Sequence, residues 1–277
     1  MRSDPTTNPF RILTQPSPPL TTVIAVKCMD GVAVACDSQG TYERAGTKTL
    51  TVNKISPIGD VNHQRQMLVA GSGDSGHINL LVEALDKAMK GKIFKDEQLR
   101  NAVSKVLLSL HKKHNVERSR TLGLKEIEMF YHPDAILAAK LADPLQPFGL
   151  YHLRPDGWVD VVPKYQVLGT GGTFASFMLD MFERQIPVLA KEGNWSNANI
   201  EAMQVVLPVV VSQVKYHDVY SGGRTKVAVV DKDGFREVSS SEISVVYNKV
   251  FDEIEHKMKA PPEMLRMLKS VLGDWGT

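Results

Sequence analysis

The chain predicts a mixed α+β fold in which two antiparallel sheets stack face to face with helices on the outside. Three observations carry this expectation. Short β-branched, apolar stretches give way to helical spacing in the order strands, two helices, strands, two helices, strands. Alternating βαβ units are absent, which disfavours a doubly wound parallel sheet. Asp30-Gly31, Asp156-Gly157 and Asp233-Gly234 each fall between neighbouring strand runs and read as tight turns.

Thr22–Cys28 and Gly31–Asp37 form the first predicted hairpin. Thr47–Ile58 reads as another extended pair, and Gln66–Ala70 as a short buried strand. Leu80, Leu81, Ala84, Leu85 and Ala88 then recur at helical spacing, as do Leu99, Val103, Val106, Leu107 and Leu110, with Asp96 placed to cap the second helix. Ala135–Ala142, Phe148–Leu153, Trp158–Val162 and Tyr165–Leu168 read as strands. A helix opens at Thr173, with Phe174, Phe177, Met178 and Met181 on one face. Ser196 is the expected cap of a further helix carrying Ile200, Met203, Leu207, Val210 and Val214, and Pro208 inside it predicts a kink or a break. Thr225–Asp231 and Phe235–Val238 close the domain. Ser239–Thr277 is charged and helical in pattern, through Ile254, Met258, Met264, Leu265, Leu268 and Val271.

A length of 277 residues allows one large domain or two small ones. Lys and Arg total 33 against 31 acidic residues, a net charge of +2. That balance argues against a nucleic-acid binder that tracks phosphates and against a polybasic membrane-surface protein. Only two cysteines, Cys28 and Cys36, are present, so a disulfide scaffold is not expected, and no Cys/His spacing reads as a metal site. No apolar run is long enough to cross a bilayer. Pro5, Pro9, Pro16, Pro18 and Pro19 exclude a helix from residues 1–20, and no continuous apolar stretch there reads as a secretory signal. The expected location is cytoplasmic. Residues 1–20 read either as a tail or as a pro-segment that is removed.

Three glycine-rich turns are candidates for chemistry. Gly71-Ser72-Gly73-Asp74-Ser75-Gly76 fits G-x-G-x-x-G between a strand and a helix, but a second helix follows instead of a parallel strand. Gly73-Asp74-Ser75-Gly76 also resembles a serine-protease nucleophile loop, although the helices downstream do not suit that fold. In either case the turn leaves backbone N–H groups at a helix start, where an oxyanion could be held. Gly169-Thr170-Gly171-Gly172 is a second such turn, and Ser221-Gly222-Gly223, the third, has the composition of a helix C-cap.

Read together, Leu20-Thr21-Thr22, the hairpin ending in Asp37-Ser38, Asn53-Lys54-Ile55, Ala70-Gly71, Gly169-Thr170-Gly171 and Asp218-Val219-Tyr220-Ser221-Gly222-Gly223 resemble a proteasome β-type subunit and, more loosely, the bacterial relative HslV. The resemblance spans Thr21 to about Val238. It implies the four-layer αββα sandwich of N-terminal-nucleophile hydrolases, and a division into a pro-segment (1–20), a β-type catalytic domain (21–238) and a C-terminal helical extension (239–277). It also implies a zymogen whose trimming exposes a catalytic threonine, and assembly with like subunits into homo-oligomeric rings of six or seven. Candidate partners by the same resemblance are α-type ring subunits, an ATPase unfoldase and unfolded protein substrates. No cofactor or metal, and neither nucleic acid nor membrane, is expected.

The residue roles follow from that resemblance. A threonine hydroxyl is a weak nucleophile and needs a base. A free α-amino group, with a pKa near ~8, can serve. Trimming before Thr21 would place both on one residue. Thr22 is the rival first residue, but Thr21 sets Asp37 where the family's hairpin aspartate lies. Lys54 would lower the amine's pKa and steady charge on the attacking oxygen, held in place by Asp37. Gly71 N–H would be the oxyanion donor. Thr170, Asp218 and Ser221 match positions that hydrogen-bond around the terminal amine. Thr41 would pair with an extended substrate, and Gly40, Val52, Val69 and Gly73 match the pocket wall, which is uncharged and favours cleavage after apolar residues.

Taken singly, each of these residues has an ordinary structural explanation; the ordered set favours function. Leu20 stands where processed subunits usually carry glycine, Lys54 lies one residue later than usual, and Thr170 replaces the usual serine. The alternatives are a non-catalytic β-type ring subunit kept unprocessed by Leu20, an amidase of the same broader fold acting on a small amide and, last, a nucleotide binder through Gly71–Gly76.

Overall fold

The computed structural model describes residues 21–42, 47–49, 52–61, 64–124, 131–185 and 195–248. The first strands are β1 (Val23–Cys28), β2 (Gly31–Cys36), β3 (Gly40–Tyr42), β4 (Thr47–Thr49), β5 (Ile55–Val61) and β6 (Gln64–Ser72). Helices α1 (Ser75–Met89) and α2 (Asp96–His111) follow, with α2 running on through a π turn (Lys112–Glu117) into the short α3 (Arg118–Thr121). Then come β7 (Asp134–Lys140), β8 (Phe148–Leu153), β9 (Val159–Val161), β10 (Tyr165–Leu168), α4 (Gly172–Gln185), α5 (Ile200–His217), β11 (Lys226–Asp231) and β12 (Gly234–Val238).

One sheet has the order β10-β1-β2-β11-β12 and the other β5-β6-β7-β8-β9, and every pairing is antiparallel. Period-2 alternation assigns side chains to layers. Val23 and Ala25 of β1 join Leu68, Ala70, Ile136 and Ala138 in the core between the sheets. Ile24 and Val26 instead pack beneath α4 and α5, among Leu179, Phe182, Met203 and Val210. Met67, Val69 and Leu137 face α1 and α2 through Leu81, Leu85, Leu99 and Val103. The result is the αββα sandwich that the order of elements predicted.

Four local expectations are corrected. Residues 47–58 do not form one extended pair. β4 pairs with β3, whereas β5 joins the second sheet. Asp96 is the first residue of α2 and not its cap; its carboxylate accepts from Tyr151 Oη (2.6 Å) and Arg100 Nε (2.9 Å). Asn199, not Ser196, caps α5, because Trp195–Asn197 first makes a 3-10 turn and Asn199 Oδ1 then accepts from Ala202 N at 2.8 Å. On α4 Phe174, Met178 and Met181 pack on the core as predicted, beside the buried Ala175, Leu179 and Phe182, but Phe177 is exposed. Helix α5 continues through Pro208 without a break.

A helix over residues 240–248 follows β12 and buries Ile243 and Tyr247 in the same core as α5. Residues 1–20 and the apolar positions Ile254 to Val271 lie outside the described residues. Among the described residues no helix is long and apolar enough to cross a membrane, and no three His, Cys, Asp or Glu side chains are arranged to hold a metal ion.

Both cysteines are buried and free. Burial pushes the Cys36 thiol up to about 12, with Lys54 partly offsetting it, and burial raises Cys28 as well. Thiolate is the reactive form. Neither cysteine is therefore expected to react with iodoacetamide at about pH 8 until the chain is unfolded. Rapid alkylation of the native protein, read by mass, would contradict this.

Candidate active site

The β1–β2 register pairs Val23 with Cys36, which carries Thr22 opposite Asp37, and Asp37 N donates to Thr22 O at 3.3 Å. Asp37 is completely buried. Its Oδ1 accepts from Thr21 Oγ1 (2.8 Å), Thr22 N (2.8 Å) and Lys54 Nζ (2.7 Å). Its Oδ2 accepts from Gln39 N (3.1 Å) and Gly222 N (3.0 Å). A buried carboxylate is tolerable with this many donors and a cation beside it. Lys54, just before β5, is only 7% exposed, and its ammonium also donates to Thr21 Oγ1. Thr21 Oγ1 thus lies between a cation and an anion.

A second group adjoins this one. Thr22 Oγ1 and Ser221 Oγ share a hydrogen bond of 2.8 Å. Ser221 Oγ donates to Asp218 Oδ2 at 2.8 Å, and Thr170 Oγ1 donates to the same oxygen at 2.6 Å. Asp218 ends α5, with its N–H on Val214 O, and its Oδ1 accepts from Tyr220 N at 3.0 Å. Thr170, Asp218 and Ser221 therefore come together one hydroxyl away from the Thr21–Thr22 peptide.

The turn at Gly169–Gly172 packs directly on the two threonines. Gly169 has φ +94°, and a Cβ there would lie 1.7 Å from the Thr21 carbonyl oxygen. A Cβ on Gly171 would lie 2.2 Å from Thr22 Oγ1. Gly169→Ala is expected to destabilise the fold by roughly 2 kcal/mol or more, through a backbone clash added to an unfavourable φ. A urea midpoint equal to the parent's would reject this.

Gly71 is in place beside the site, but its N–H donates to Lys54 O at 3.1 Å. An oxyanion would have to share or displace that bond. Gly40 and Thr41 lie in β3, and Val52 N donates to Ser38 O at 2.9 Å. Gly73 (φ +107°) is open, with nothing within 4 Å of an added Cβ. Val69, expected on the pocket wall, is a core residue facing α1. The nucleotide-binding reading of Gly71–Gly76 is overturned. The sheet is antiparallel here, and Asp74 caps α1 by accepting from Gly76 N (2.7 Å) and His77 N (3.2 Å). A separate recess of about 450 Å³, lined by Asp30, Ile200, Glu201, Asp231, Arg236 and Glu242 among others, lies toward the β1–β2 turn, at the other end of β1.

Residues 21–133 match a protein-family model described as Proteasome subunit. The chain is also similar to three curated archaeal proteins. Proteasome subunit beta 1 of Pyrococcus horikoshii is 22% identical over 225 residues, covering 78% of this chain and 94% of that protein. Proteasome subunit beta of Nanoarchaeum equitans is 24% identical over 217 residues, covering 78% and 95%. Proteasome subunit beta 1 of Pyrococcus furiosus is 23% identical over 225 residues, covering 78% and 95%. The chain is thus similar to proteasome β-type subunits.

Two residues of this site had no assigned hydrogen-bonding role in the sequence reading, where Thr22 was only the rival first residue. Thr22 links the two hydrogen-bonded groups through its N–H and its hydroxyl. Gln39 ties the Asp37 turn to the Asp218–Gly223 loop, donating from N to Gly222 O (3.0 Å) and from Nε2 to Val219 O (3.3 Å). Their position next to Thr21 and Asp37 was the only available signal.

Proposed function

We propose that this protein is a self-processing threonine endopeptidase of the proteasome β type, cutting unfolded proteins inside a ring-shaped chamber. The observation that carries the reading is the Lys54 ammonium held between Thr21 Oγ1 and a fully buried Asp37. Removal of residues 1–20 turns the Thr21 amide nitrogen, which cannot accept a proton, into an amine that can. Thr21 Oγ1 then attacks the substrate carbonyl as its proton passes to that amine. The amine-side product leaves with that proton, and water hydrolyses the ester left on Thr21.

Each neighbour has a separate task in this scheme. Lys54 lowers the amine's pKa and steadies charge on the oxygen, while Asp37 holds Lys54 in place. The Thr22–Ser221–Asp218–Thr170 chain orders the terminal amine. Gly71 N–H is the oxyanion donor, sharing or giving up its bond to Lys54 O, while Gly40, Thr41, Val52 and Gly73 are the proposed substrate-binding positions. Like subunits form the ring, with α-type subunits and an ATPase unfoldase as its partners, in the cytoplasm.

The test is intact mass together with turnover of purified, assembled protein. Loss of residues 1–20 with casein cleavage supports the reading; a retained full-length chain without turnover rejects it. A panel of fluorogenic peptides should show preference for apolar over charged P1 residues. One observation favours a second reading, a non-catalytic ring subunit: the Gly71 N–H is already bonded to Lys54 O. The same mass measurement separates the two.

A further inference from the structure

Ser72 ends β6, directly after Gly71, and is 2% exposed. Leu68 and Ala70 face the core between the sheets, so strand alternation turns Ser72 to that side, toward the sheet that begins after Thr21–Thr22. Its Oγ is buried and has no hydrogen-bond partner among the described residues. Buried hydroxyls are nearly always paired, and an exception calls for an explanation, of which a partner supplied in another state is one. A Cβ built on Gly169 would lie 3.2 Å from Ser72 Oγ and 1.7 Å from the Thr21 carbonyl oxygen. The Ser72 hydroxyl, without an acceptor, and the carbonyl oxygen of the nucleophile residue thus both flank the same glycine. The nearest strand neighbour does not compete for that hydroxyl, since Asp134 pairs with Ser72 in the ladder but gives its carboxylate to His152 Nε2 at 2.7 Å.

We propose that Ser72 is a positioning residue for Thr21, its hydroxyl donating to the Thr21 carbonyl oxygen once residue 20 has been detached. This inference rests on the reading of Thr21 as a trimmed nucleophile. In the uncut chain the peptides on both sides of Thr21 restrain it. After cutting, only the Thr21–Thr22 peptide remains, and a hydrogen bond to its carbonyl fixes rotation about the Thr21 backbone. The amine is then held toward Oγ1, the geometry that proton transfer needs. Ser72 acts through Thr21 and does not touch substrate.

Two measurements test this. In the active chain, Ser72→Ala should lower kcat roughly three- to tenfold, the loss of one neutral hydrogen bond, and leave KM unchanged. Unchanged kcat, or a change in KM alone, overturns the proposal. The second measurement needs no activity. In a Thr21→Ala background with a site-specific protease sequence ahead of position 21, melting temperatures are compared before and after cutting, with and without Ser72→Ala. The substitution should leave the uncut chain unchanged or raise it, and should lower the cut chain. Any result in which the cut chain is not lowered relative to the uncut one overturns the proposal. Failure of the nucleophile reading would appear separately, as turnover that survives Thr21→Ala.

Discussion

Thr21→Ala is expected to reduce peptide hydrolysis by roughly 10⁴-fold or more and to leave residues 1–20 attached. The reason is chemical, because alanine removes the attacking oxygen while the rest of the site stays assembled. Asp37 keeps its bonds from Lys54, Thr22 N, Gln39 N and Gly222 N. The fold should lose only about 1 kcal/mol, the value of one buried hydrogen bond. Turnover of a fluorogenic peptide, intact mass and a thermal melt check all three parts. In the trimmed parent protein kcat/KM should fall as pH drops through the amine's pKa, because only the neutral amine accepts the proton. Turnover surviving in an assembled, trimmed Thr21→Ala particle would end the proposal.

Asp37→Ala has the second large effect, and here the damage is mainly to stability. The carboxylate gathers five donors from four stretches of chain, those of Thr21–Thr22, Gln39, Lys54 and Gly222. Removing it leaves a lysine ammonium in a nearly closed site without its anion. Breaking one partner of a buried ion pair typically destabilises by about 3–5 kcal/mol. Urea unfolding should show a midpoint lowered accordingly, with peptidase activity lost. Asp37→Asn preserves the volume but not the charge, and its amide N–H₂ would face donors, so it too should lose activity. A midpoint for Asp37→Ala within about 0.5 kcal/mol of the parent, the usual range for surface changes, would refute this account.

Much of the scaffold could be read from the chain because its signals are local. Asp30-Gly31 and the alternation around it predicted the first hairpin to within a residue. Tyr165–Leu168 and Phe148–Leu153 were bounded as observed by glycine and proline. The Asp96 cap failed because Tyr151 claims its side chain, and the Ser196 cap because a 3-10 turn intervenes before α5. The β4 error arose because pairing across a turn cannot be told from continuation of a strand by composition alone.

The site was legible only in part. Thr21, Asp37 and Lys54 could be singled out only through the ordered set of motifs that carries the family resemblance, since each taken alone has an ordinary structural explanation. The N–H groups of Thr22, Gln39 and Gly222, which hold Asp37, belong to the backbone and leave no pattern in residue type. Val69 was assigned to a pocket by position, whereas strand parity, through its neighbours Leu68 and Ala70 on the opposite face, already pointed it at α1.

The ion pair at the threonine also joins the two halves of the sandwich. Asp37 follows a strand of the first sheet and Lys54 precedes a strand of the second, so neither half alone contains the complete apparatus. A chain that cuts itself there can do so only after the layers have closed on each other. Under the proposed self-processing, maturation would work as a quality check, and a half-built subunit would stay harmless because its blade has not yet been assembled.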